Sequence, residues 1–259
     1  MDSTNQNLFA SLSKKGLVRK ENQDFSVVTF NRFGQLMSLV CDGLGGYKGG
    51  KMASALVSEV FTKSFTVFDF HSQTERAVKQ WFEITLIEAR RILEQYFQTI
   101  KRNQVQFARM ATTLVLSIIS KQNIWTFWVG DSRAYLINSY QSLQITEDHN
   151  LYNQLLQMHA TPDVIASYKD KLLALTATVS KDQERQLKYS FRCDVVNAWD
   201  FLLLCSDGLY NFLDPNCFYE VITSAPNLKK AVTQLAKLSL DNASNDNITL
   251  NLINLKQWH

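Results

Sequence analysis

The amino-acid sequence predicts an α+β fold in which two antiparallel β-sheets are covered by helices. Segments with the two-residue period of strands recur along the whole chain, and segments with helical periodicity come in separate blocks rather than between single strands. The chain has 259 residues, of which 46% are hydrophobic, enough for a substantial core. It contains three prolines and no Gly/Ser-rich linker. We therefore expect residues 1–259 to form a single domain.

The first half of the chain is predicted to contain strands, then two helices, then strands again. Residues 25–30 and 36–41 are apolar and β-branched, and the sequence Asn-Arg-Phe-Gly between them is typical of a hairpin connection. The helical segments show apolar residues every three or four positions. The other elements predicted here are a strand at 8–13, helices at 51–68 and 74–100, and strands at 112–120, 124–129 and 134–137.

The second half begins with an insert, residues 146–179, whose pattern is less regular. A helix start is predicted at 146–149, and Thr161-Pro162-Asp163 predicts the start of a second short helix. We expect the insert to be mobile or to face a substrate. The remaining predicted elements are strands at 186–192 and 198–205, which we expect to pair with each other, helices at 215–224 and 228–240, and a strand at 248–255.

Charge and composition disfavour several classes of protein. The net charge is +3, and the basic residues cluster at most in pairs, which is typical of a solvated surface and not of a nucleic-acid-binding arm. No apolar run reaches the roughly 18 residues of a membrane span, and the N-terminus lacks a secretory signal. The sequence therefore predicts a cytoplasmic protein with neither a nucleic-acid partner nor a membrane span, and we expect a monomer.

Cysteine and histidine do not form a recognisable metal or disulfide pattern. The four cysteines show no CxxC spacing, and we expect them to be small buried hydrophobic residues in a reducing compartment. The four histidines share no close ligand spacing, so a histidine metal site is not expected. The residues are Cys41, Cys193, Cys205, Cys217, His71, His149, His159 and His259.

Two apolar strands each end in an acid followed by glycine. Residues 36–41 lead into Asp42-Gly43, and residues 201–205 lead into Ser206-Asp207-Gly208. One such Asp-Gly pair alone is most simply an ordinary turn. Two copies favour a metal site, because glycine lets the backbone approach a ligand and leaves a carbonyl beside the carboxylate.

Three further acids stand at strand ends. Asp24 begins the first strand of the predicted hairpin and Asp42 ends the second, so both carboxylates fall at one end of the sheet. Asp246 begins the last strand in the same way as Asp24. Asp131 follows the strand at 124–129, where a turn carboxylate and a metal ligand are equally good interpretations. Arg19, five residues before Asp24, is a candidate phosphate clamp.

Six short motifs occur in order along residues 9–255. They are Gly16-x-Val18-Arg19-x-x-Asn22-Gln23-Asp24, Asp42-Gly43-Leu44-Gly45-Gly46, Thr112-Thr113, Gly130-Asp131-Ser132-Arg133, Ser206-Asp207-Gly208-Leu209 and Asp246-Asn247-Ile248-Thr249. Together they resemble, in order and spacing, the motifs of the PP2C (PPM) metal-dependent serine/threonine phosphatases in their compact bacterial form. The resemblance implies an α-β-β-α sandwich.

The resemblance also implies a centre of two Mn²⁺ or Mg²⁺ ions. Asp42, Asp207 and Asp246 would bind one ion, while Asp24, Asp42 and the carbonyl of Gly43 would serve the second, so that Asp42 bridges the pair. Oxygen-only ligands suit these hard cations. Hydrolysis would then use a water that bridges the two ions, with no protein nucleophile.

Two further roles are implied by resemblance. Asp131, with Asp207, matches the residues that hold a third, weaker metal in bacterial members. Arg19 matches the phosphate-binding arginine, which would orient the phosphate with two hydrogen bonds. The implied substrates are proteins that carry phosphoserine or phosphothreonine. We expect them to include a serine/threonine protein kinase of the same cell, whose action the phosphatase would oppose.

The chain departs from the family pattern at three places. Leu44 stands where many eukaryotic members have a histidine proposed as general acid, and Ala111 replaces a glycine, a change we expect to be tolerated. The segment Leu175-Thr-Ala-Thr-Val-Ser180 stands where the family commonly reads Leu-Thr-Arg-Ala-Leu-Gly. This last difference bears on the conformation of residues 175–180, which form part of a flap, and on substrate preference. It does not affect the metal ligands.

Two alternatives to an active phosphatase are weighed. A catalytically silent module that binds phosphoproteins or a kinase is disfavoured, since it would have no chemical reason to keep mutually repelling acids. A nucleic-acid-binding protein is disfavoured because the chain has no basic patch.

Overall fold

The computed structural model describes residues 7–44, 47–100, 110–181 and 187–258. In this part of the chain, two five-stranded antiparallel sheets and one small three-stranded sheet are accompanied by helices. The predicted α+β class is thus confirmed, with a third sheet in addition to the two expected. The assignment of residues 1–259 to a single domain stays a prediction.

The first large sheet contains the predicted hairpin. Its strands are β2 (Phe25–Phe30), β3 (Leu36–Cys41), β6 (Leu114–Ser120), β7 (Asn123–Val129) and β11 (Ser190–Val195), in the order β11-β7-β6-β3-β2. The bounds of β2 and β3 are those predicted. Both faces of β3 are buried because the strand lies inside the sandwich.

The second large sheet is assembled from the two ends of the chain. Its strands are β1 (Phe9–Lys14), β13 (Ile248–Asn254), β12 (Phe201–Cys205), β8 (Arg133–Ile137) and β9 (Ser142–Gln144), in the order β1-β13-β12-β8-β9. β12, which delivers Asp207, is fully buried between β8 and β13.

A small sheet lies beside the metal-site residues. It consists of β4 (Gly43–Leu44), β5 (Ala111–Thr112) and β10 (Val179–Ser180), in the order β10-β5-β4. Such short strands carry no periodicity of their own, so the sequence did not indicate them. Ala111 pairs with Leu44 in this sheet.

Helices cover the outer face of each large sheet. α1 (Tyr47–Val67) and α2 (Glu75–Ile100) pack on the first sheet, where the rings of Phe82 and Phe127 stack with centroids 4.2 Å apart. α6 (Phe218–Ser224) and α7 (Leu228–Asp241) pack on the second sheet. A third apolar cluster, which includes Val40 and Leu204, fills the space between the two sheets. The layers are therefore helix, sheet, sheet, helix, as the resemblance implied.

Short helices complete the chain. They are α3 (Leu151–Gln157), α4 (Pro162–Ser167) and α5 (Asp207–Tyr210), with single 3-10 turns elsewhere. The predicted helix start at 146–149 is wrong by a few residues, because Asn150 is the residue whose side chain caps α3. Thr161 caps α4 as predicted. No described helix combines the length and the apolar character needed to cross a membrane.

Two expectations are corrected. The strands predicted at 186–192 and 198–205 do not pair, because a 3-10 turn, Val196–Ala198, carries the chain from one sheet to the other. β11 pairs with β7, whereas β12 pairs with β8 and β13. Cys193 is exposed on β11, whereas Cys41 and Cys205 are buried as expected. Gln186, the predicted strand start, lies outside the described residues.

Candidate metal centre

Asp24 and Asp42 stand at the same end of one hairpin. Phe25 pairs with Cys41, so the residues that flank this pair, Asp24 and Asp42, are adjacent at the sheet edge. Asp24 is 7% exposed, and its Oδ2 accepts a hydrogen bond from Ser206 Oγ at 2.8 Å. The predicted juxtaposition of the two carboxylates is therefore present in the structure.

The backbone of Asp42 is held by the pair Thr112-Thr113. The N–H of Asp42 donates to Thr113 Oγ1 at 2.9 Å, and the carbonyl of Asp42 accepts from the Thr113 N–H and the Thr112 hydroxyl, both at 2.8 Å. These bonds fix the point where β3 ends and the chain turns into Gly43. The sequence pattern marks this threonine pair as a motif but gives no indication of its role.

Gly43 lies where any side chain would collide with backbone. A Cβ at this position would stand 2.4 Å from the carbonyl oxygen of Gly50 and 2.5 Å from that of Gln23. The first turn of α1 thus packs directly on β4, which requires glycine on both sides of the contact. The predicted motif continues into Gly45 and Gly46, which lie outside the described residues.

Asp207 enters from the second sheet and meets Asp42. It follows β12 as the first residue of α5, and the carboxylates of Asp42 and Asp207 lie within reach of a shared proton. Asp207 Oδ1 is buried without a hydrogen-bond donor. Gly208 permits this approach, because a Cβ there would stand 1.9 Å from the carbonyl oxygen of Asn247.

Asp246 and Arg19 form an ion pair at the mouth of the site. Arg19 Nη2 lies 2.5 Å from Asp246 Oδ2, and the Arg19 side chain is 55% exposed. Asp246, Asp207 and Asp42 all raise the pKa of Arg19, which places the guanidinium within electrostatic range of three candidate ligands. The structure thus places Arg19 at the acids, although its partner here is Asp246.

Asn247 ties the loop before β13 to the segment before β2. Its Oδ1 accepts from the Gln23 N–H at 2.9 Å, while its Nδ2 donates to the carbonyls of Lys15 at 2.8 Å and Glu21 at 3.0 Å. These bonds bring Asp246 towards Asp24, although the two are 222 residues apart in sequence. This positioning role was not predicted, because an asparagine beside an acid gives no sign of such partners.

Asp131 lies at the end of β7, after Gly130, whose φ of +102° falls in the left-handed region. Burial, and then Asp207 and Asp148, raise the pKa of Asp131 to about 7. Arg133 is held nearby by Asp148, to which it donates from Nε at 2.9 Å and from Nη2 at 2.8 Å. Asp131 is therefore within electrostatic range of Asp207, and its role as a ligand of a third ion stays a prediction.

The acids repel one another electrostatically. Burial is the largest cause that raises the pKa of Asp24 to about 6 and that of Asp207 to about 6. The pKa of Asp42 is raised well above its ordinary range by burial and then by Asp24, Asp207, Asp131 and Asp246. One cluster thus contains all five acids predicted from the sequence, and a cation among them would reverse the repulsion.

The donor set suits a hard divalent cation. It consists of carboxylate and carbonyl oxygens. Asp207 Oδ1 is buried and accepts no hydrogen bond, and a bound cation would satisfy such an oxygen. As placed in the described residues, no three His, Cys, Asp or Glu side chains form a complete ligand set. Asp24 Oδ2 accepts from Ser206, and Asp246 Oδ2 pairs with Arg19. Because an ionised carboxylate has about four lone-pair sites, these contacts are compatible with metal binding.

Comparison with known proteins agrees with this geometry. The family model described as protein phosphatase 2C matches residues 15–243. The chain is 99% identical to a Mycoplasma pneumoniae chain that bears the name protein phosphatase, over all of both chains. It is 30% identical to protein phosphatase PhpP of Streptococcus pneumoniae, over 95% of this chain and 96% of that relative.

Solved structures share the fold. The serine/threonine phosphatase Stp1 from Staphylococcus aureus has a TM-score of 0.82 and 27% identity, with 96% of this chain and 94% of Stp1 covered. The catalytic domain of the serine/threonine phosphatase PstP, solved in complex with two manganese ions, has a TM-score of 0.74 and 20% identity, with 95% and 96% covered. The chain belongs to the protein phosphatase 2C family of protein phosphatases.

Proposed function

We propose that this chain hydrolyses phosphoserine and phosphothreonine in proteins with two Mn²⁺ or Mg²⁺ ions held at the acidic cluster. The observation that carries the proposal is the meeting of Asp42 and Asp207 from opposite sheets, with Asp207 Oδ1 buried and lacking a donor. Two half-buried carboxylates in contact are costly unless a cation or proton lies between them.

The ligands divide between the two ions as the resemblance implies. Asp42, Asp207 and Asp246 would hold one ion, and Asp24, Asp42 and the Gly43 carbonyl the other. A third, weaker ion would lie at Asp131 and Asp207. Bound ions of this kind supply an acidified water and positive charge for the phosphoryl oxygens.

The chain's own residues orient the substrate. Arg19 is more than half exposed, so its guanidinium can leave Asp246 and present two N–H groups to a phosphate. Thr112 and Thr113 hold the Asp42 backbone, and Asn247 holds the Asp246 loop, which keeps the ligands in place. None of the acids is assigned as nucleophile. Leu44 offers no proton, so the leaving oxygen would be protonated from solvent bound at the site.

The substrates would be phosphoproteins, including a serine/threonine protein kinase of the same cell that the phosphatase opposes. The named relatives PhpP and Stp1 support the class of activity. We propose a cytoplasmic monomer that acts without a nucleic-acid partner.

The test is hydrolysis of a phosphothreonine peptide and of an aryl phosphate, with Mn²⁺, Mg²⁺ or chelator. Turnover should require metal and should fall by about a hundredfold or more in Asp207→Asn, since a ligand to the catalytic ion is lost. Asp214→Asn, an exposed acid away from the cluster, is the matched control. Activity on the aryl phosphate alone would contradict the substrate class. No turnover in a folded protein would favour the phosphoprotein-binding module.

A further inference from the structure

Residues 15–21 form a loop that is closed at its base by a single side chain. Asn247 Nδ2 donates to the carbonyl of Lys15 at 2.8 Å and to the carbonyl of Glu21 at 3.0 Å, so both ends of the loop meet at one amide group. Arg19 lies within this loop. The closed base therefore holds the candidate phosphate-binding residue beside the acidic cluster.

Two further contacts anchor the loop. Gly16 has a φ of +75°, and a Cβ there would stand 2.2 Å from the carbonyl oxygen of Asp246, so the loop packs directly on the backbone of a candidate metal ligand. Outside the loop, Asn22 Nδ2 donates to Ser13 Oγ at 2.8 Å and joins the strands that lead into it and out of it. The tip of the loop is thus fixed at the mouth of the site.

The tip exposes two aliphatic side chains next to Arg19. Leu17 is 77% exposed and Val18 is 67% exposed, and in the part of the chain that the structure describes no other two consecutive large hydrophobic residues are both exposed. Single exposed hydrophobic residues are common on protein surfaces and need no explanation. Two adjacent ones on an anchored loop offer apolar surface that the loop itself cannot bury. This surface lies directly beside the candidate phosphate-binding residue.

The same loop is positively charged. Lys14 and Lys15 are exposed at its base, and residues 14–20 contain no acid. Glu21, which follows, pairs with Lys51 at 2.9 Å, so its charge is compensated. An acidic segment of a bound protein would therefore be attracted to this side of the site.

We propose that Lys14, Lys15, Leu17 and Val18 form a docking surface for the substrate segment around the phosphorylated residue. It would select an aliphatic residue close to the phosphorylated residue and acidic residues farther away. The inference rests on the proposed function, which places the phosphate at Arg19.

The spacing of the loop sets the positions that are selected. Leu17 and Val18 lie within two residues of Arg19, hence within about 7 Å along the backbone. An extended substrate advances about 3.3 Å per residue, so the aliphatic residue would lie one or two positions from the phosphorylated one. The two lysines lie beyond the aliphatic pair as counted from Arg19, so the acids would lie farther out.

Binding is tested with peptides that carry a non-hydrolysable phosphonate analogue of phosphoserine, in Mn²⁺, so that turnover plays no part. Four peptides have either leucine or serine on both sides of the analogue and either glutamate or lysine at the next positions out. Fluorescence anisotropy gives each dissociation constant. Exchange of leucine for serine should raise the dissociation constant about fivefold, because apolar contact is lost. Exchange of glutamate for lysine should raise it about tenfold, and by less at high salt.

Substitutions in the loop separate the two preferences. Leu17→Ser should abolish the preference for leucine and retain the preference for glutamate. The double variant Lys14→Gln/Lys15→Gln should do the reverse. A variant that merely distorted the loop would weaken all four peptides by the same factor, so the two preferences report contact and not stability.

Two matched controls lie elsewhere on the surface. Ile87→Ser removes an exposed aliphatic residue of α2, and Lys229→Gln/Lys230→Gln removes an exposed lysine pair at the start of α7. Both controls should retain the preference for leucine and the preference for glutamate.

Absence of binding by all four peptides, equal dissociation constants, or a leucine preference that survives Leu17→Ser would overturn the docking surface. A glutamate preference that survives the double lysine substitution would overturn the selection of acidic residues. Turnover of a phosphothreonine peptide by the wild type in Mn²⁺ is measured separately. Its absence would overturn the proposed function, while binding of the phosphonate peptides still decides the docking surface.

Discussion

The side chain of Asn247 accepts a hydrogen bond from the backbone N–H of Gln23 at 2.9 Å and so joins the last strand to the first metal-site strand. The same side chain donates to the carbonyls of Lys15 and Glu21. Asp24 directly follows Gln23, and Asp246 directly precedes Asn247. One asparagine therefore sets the distance between candidate ligands from the two ends of the chain.

Asn247→Ala should destabilise the protein and weaken Mn²⁺ binding. The substitution leaves three backbone groups without their partner, and we expect a loss of about 2–4 kcal/mol in the free energy of unfolding. Urea unfolding in chelator measures this loss, and calorimetry measures the affinity for Mn²⁺. Asn216→Ala, at an exposed position, is the control. A stability loss with unchanged Mn²⁺ affinity would contradict the positioning role.

Arg19→Lys should lower kcat/KM without affecting stability. The exposed pair with Asp246 contributes at most about 1 kcal/mol to folding, whereas loss of a two-pronged contact with phosphate should reduce kcat/KM about tenfold or more. Steady-state kinetics on a phosphothreonine peptide test this, with Arg76→Lys as the exposed control. Equal kcat/KM in Arg19→Lys and wild type would show that the guanidinium does not contact the phosphate.

Gly43→Ala should disrupt the metal centre, because its Cβ would press on the backbone of Gly50 and Gln23. We expect a stability loss of about 1–3 kcal/mol together with loss of Mn²⁺ binding. Gly34→Ala is an informative control: its φ of +77° is unfavourable for alanine, yet nothing lies within 4 Å of the added Cβ. That variant should lose about 1 kcal/mol and bind Mn²⁺ normally. Normal Mn²⁺ binding by Gly43→Ala would remove Gly43 from the site.

His149 should stay neutral well below the usual range of histidine. Burial, and then the charge of Lys188, lower the pKa of His149 to about 4, and its Nδ1 accepts from the Gly130 N–H while Nε2 lies 2.9 Å from Ser190 Oγ. Protonation would remove that acceptor. Between pH 6.5 and 4, His149 therefore binds a proton more readily in the unfolded chain than in the folded one. The stability that the neutral imidazole contributes is complete above pH 6.5 and is lost as the pH falls towards 4.

Comparison of wild type with His149→Gln separates this effect from the titration of the acidic cluster, which both proteins contain. The difference in their free energies of unfolding should shrink by up to about 3 kcal/mol from pH 7 to pH 4, at roughly 1.4 kcal/mol per pKa unit. Urea unfolding across this range measures it, and NMR of the imidazole follows the titration directly. A difference that is constant with pH, or an imidazole that titrates near pH 6.5, would contradict the buried neutral state.

The sequence predicted that the candidate acids lie together, but it did not predict the contacts that support them. β2 and β3 have strong apolar patterns and a turn of defined chemistry, so both their bounds and the placement of Asp24 and Asp42 were predicted. The sequence did not predict which sheet β11 joins, because a partly exposed edge strand of six residues carries no signal about its partner. Asn247 and the Thr112-Thr113 pair act through bonds to backbone groups far away in sequence, and no local pattern reports such partners.

The account is tested most directly by manganese anomalous scattering from a crystal grown with Mn²⁺. We expect two strong peaks that share Asp42, one also bound by Asp207 and Asp246 and the other by Asp24 and the carbonyl of Gly43. Asp42→Asn crystals should lose both peaks, and the variant should lose turnover. Manganese bound elsewhere, or none at Asp42 in a protein that still hydrolyses the phosphothreonine peptide, would contradict the assignment of the acidic cluster as the metal centre.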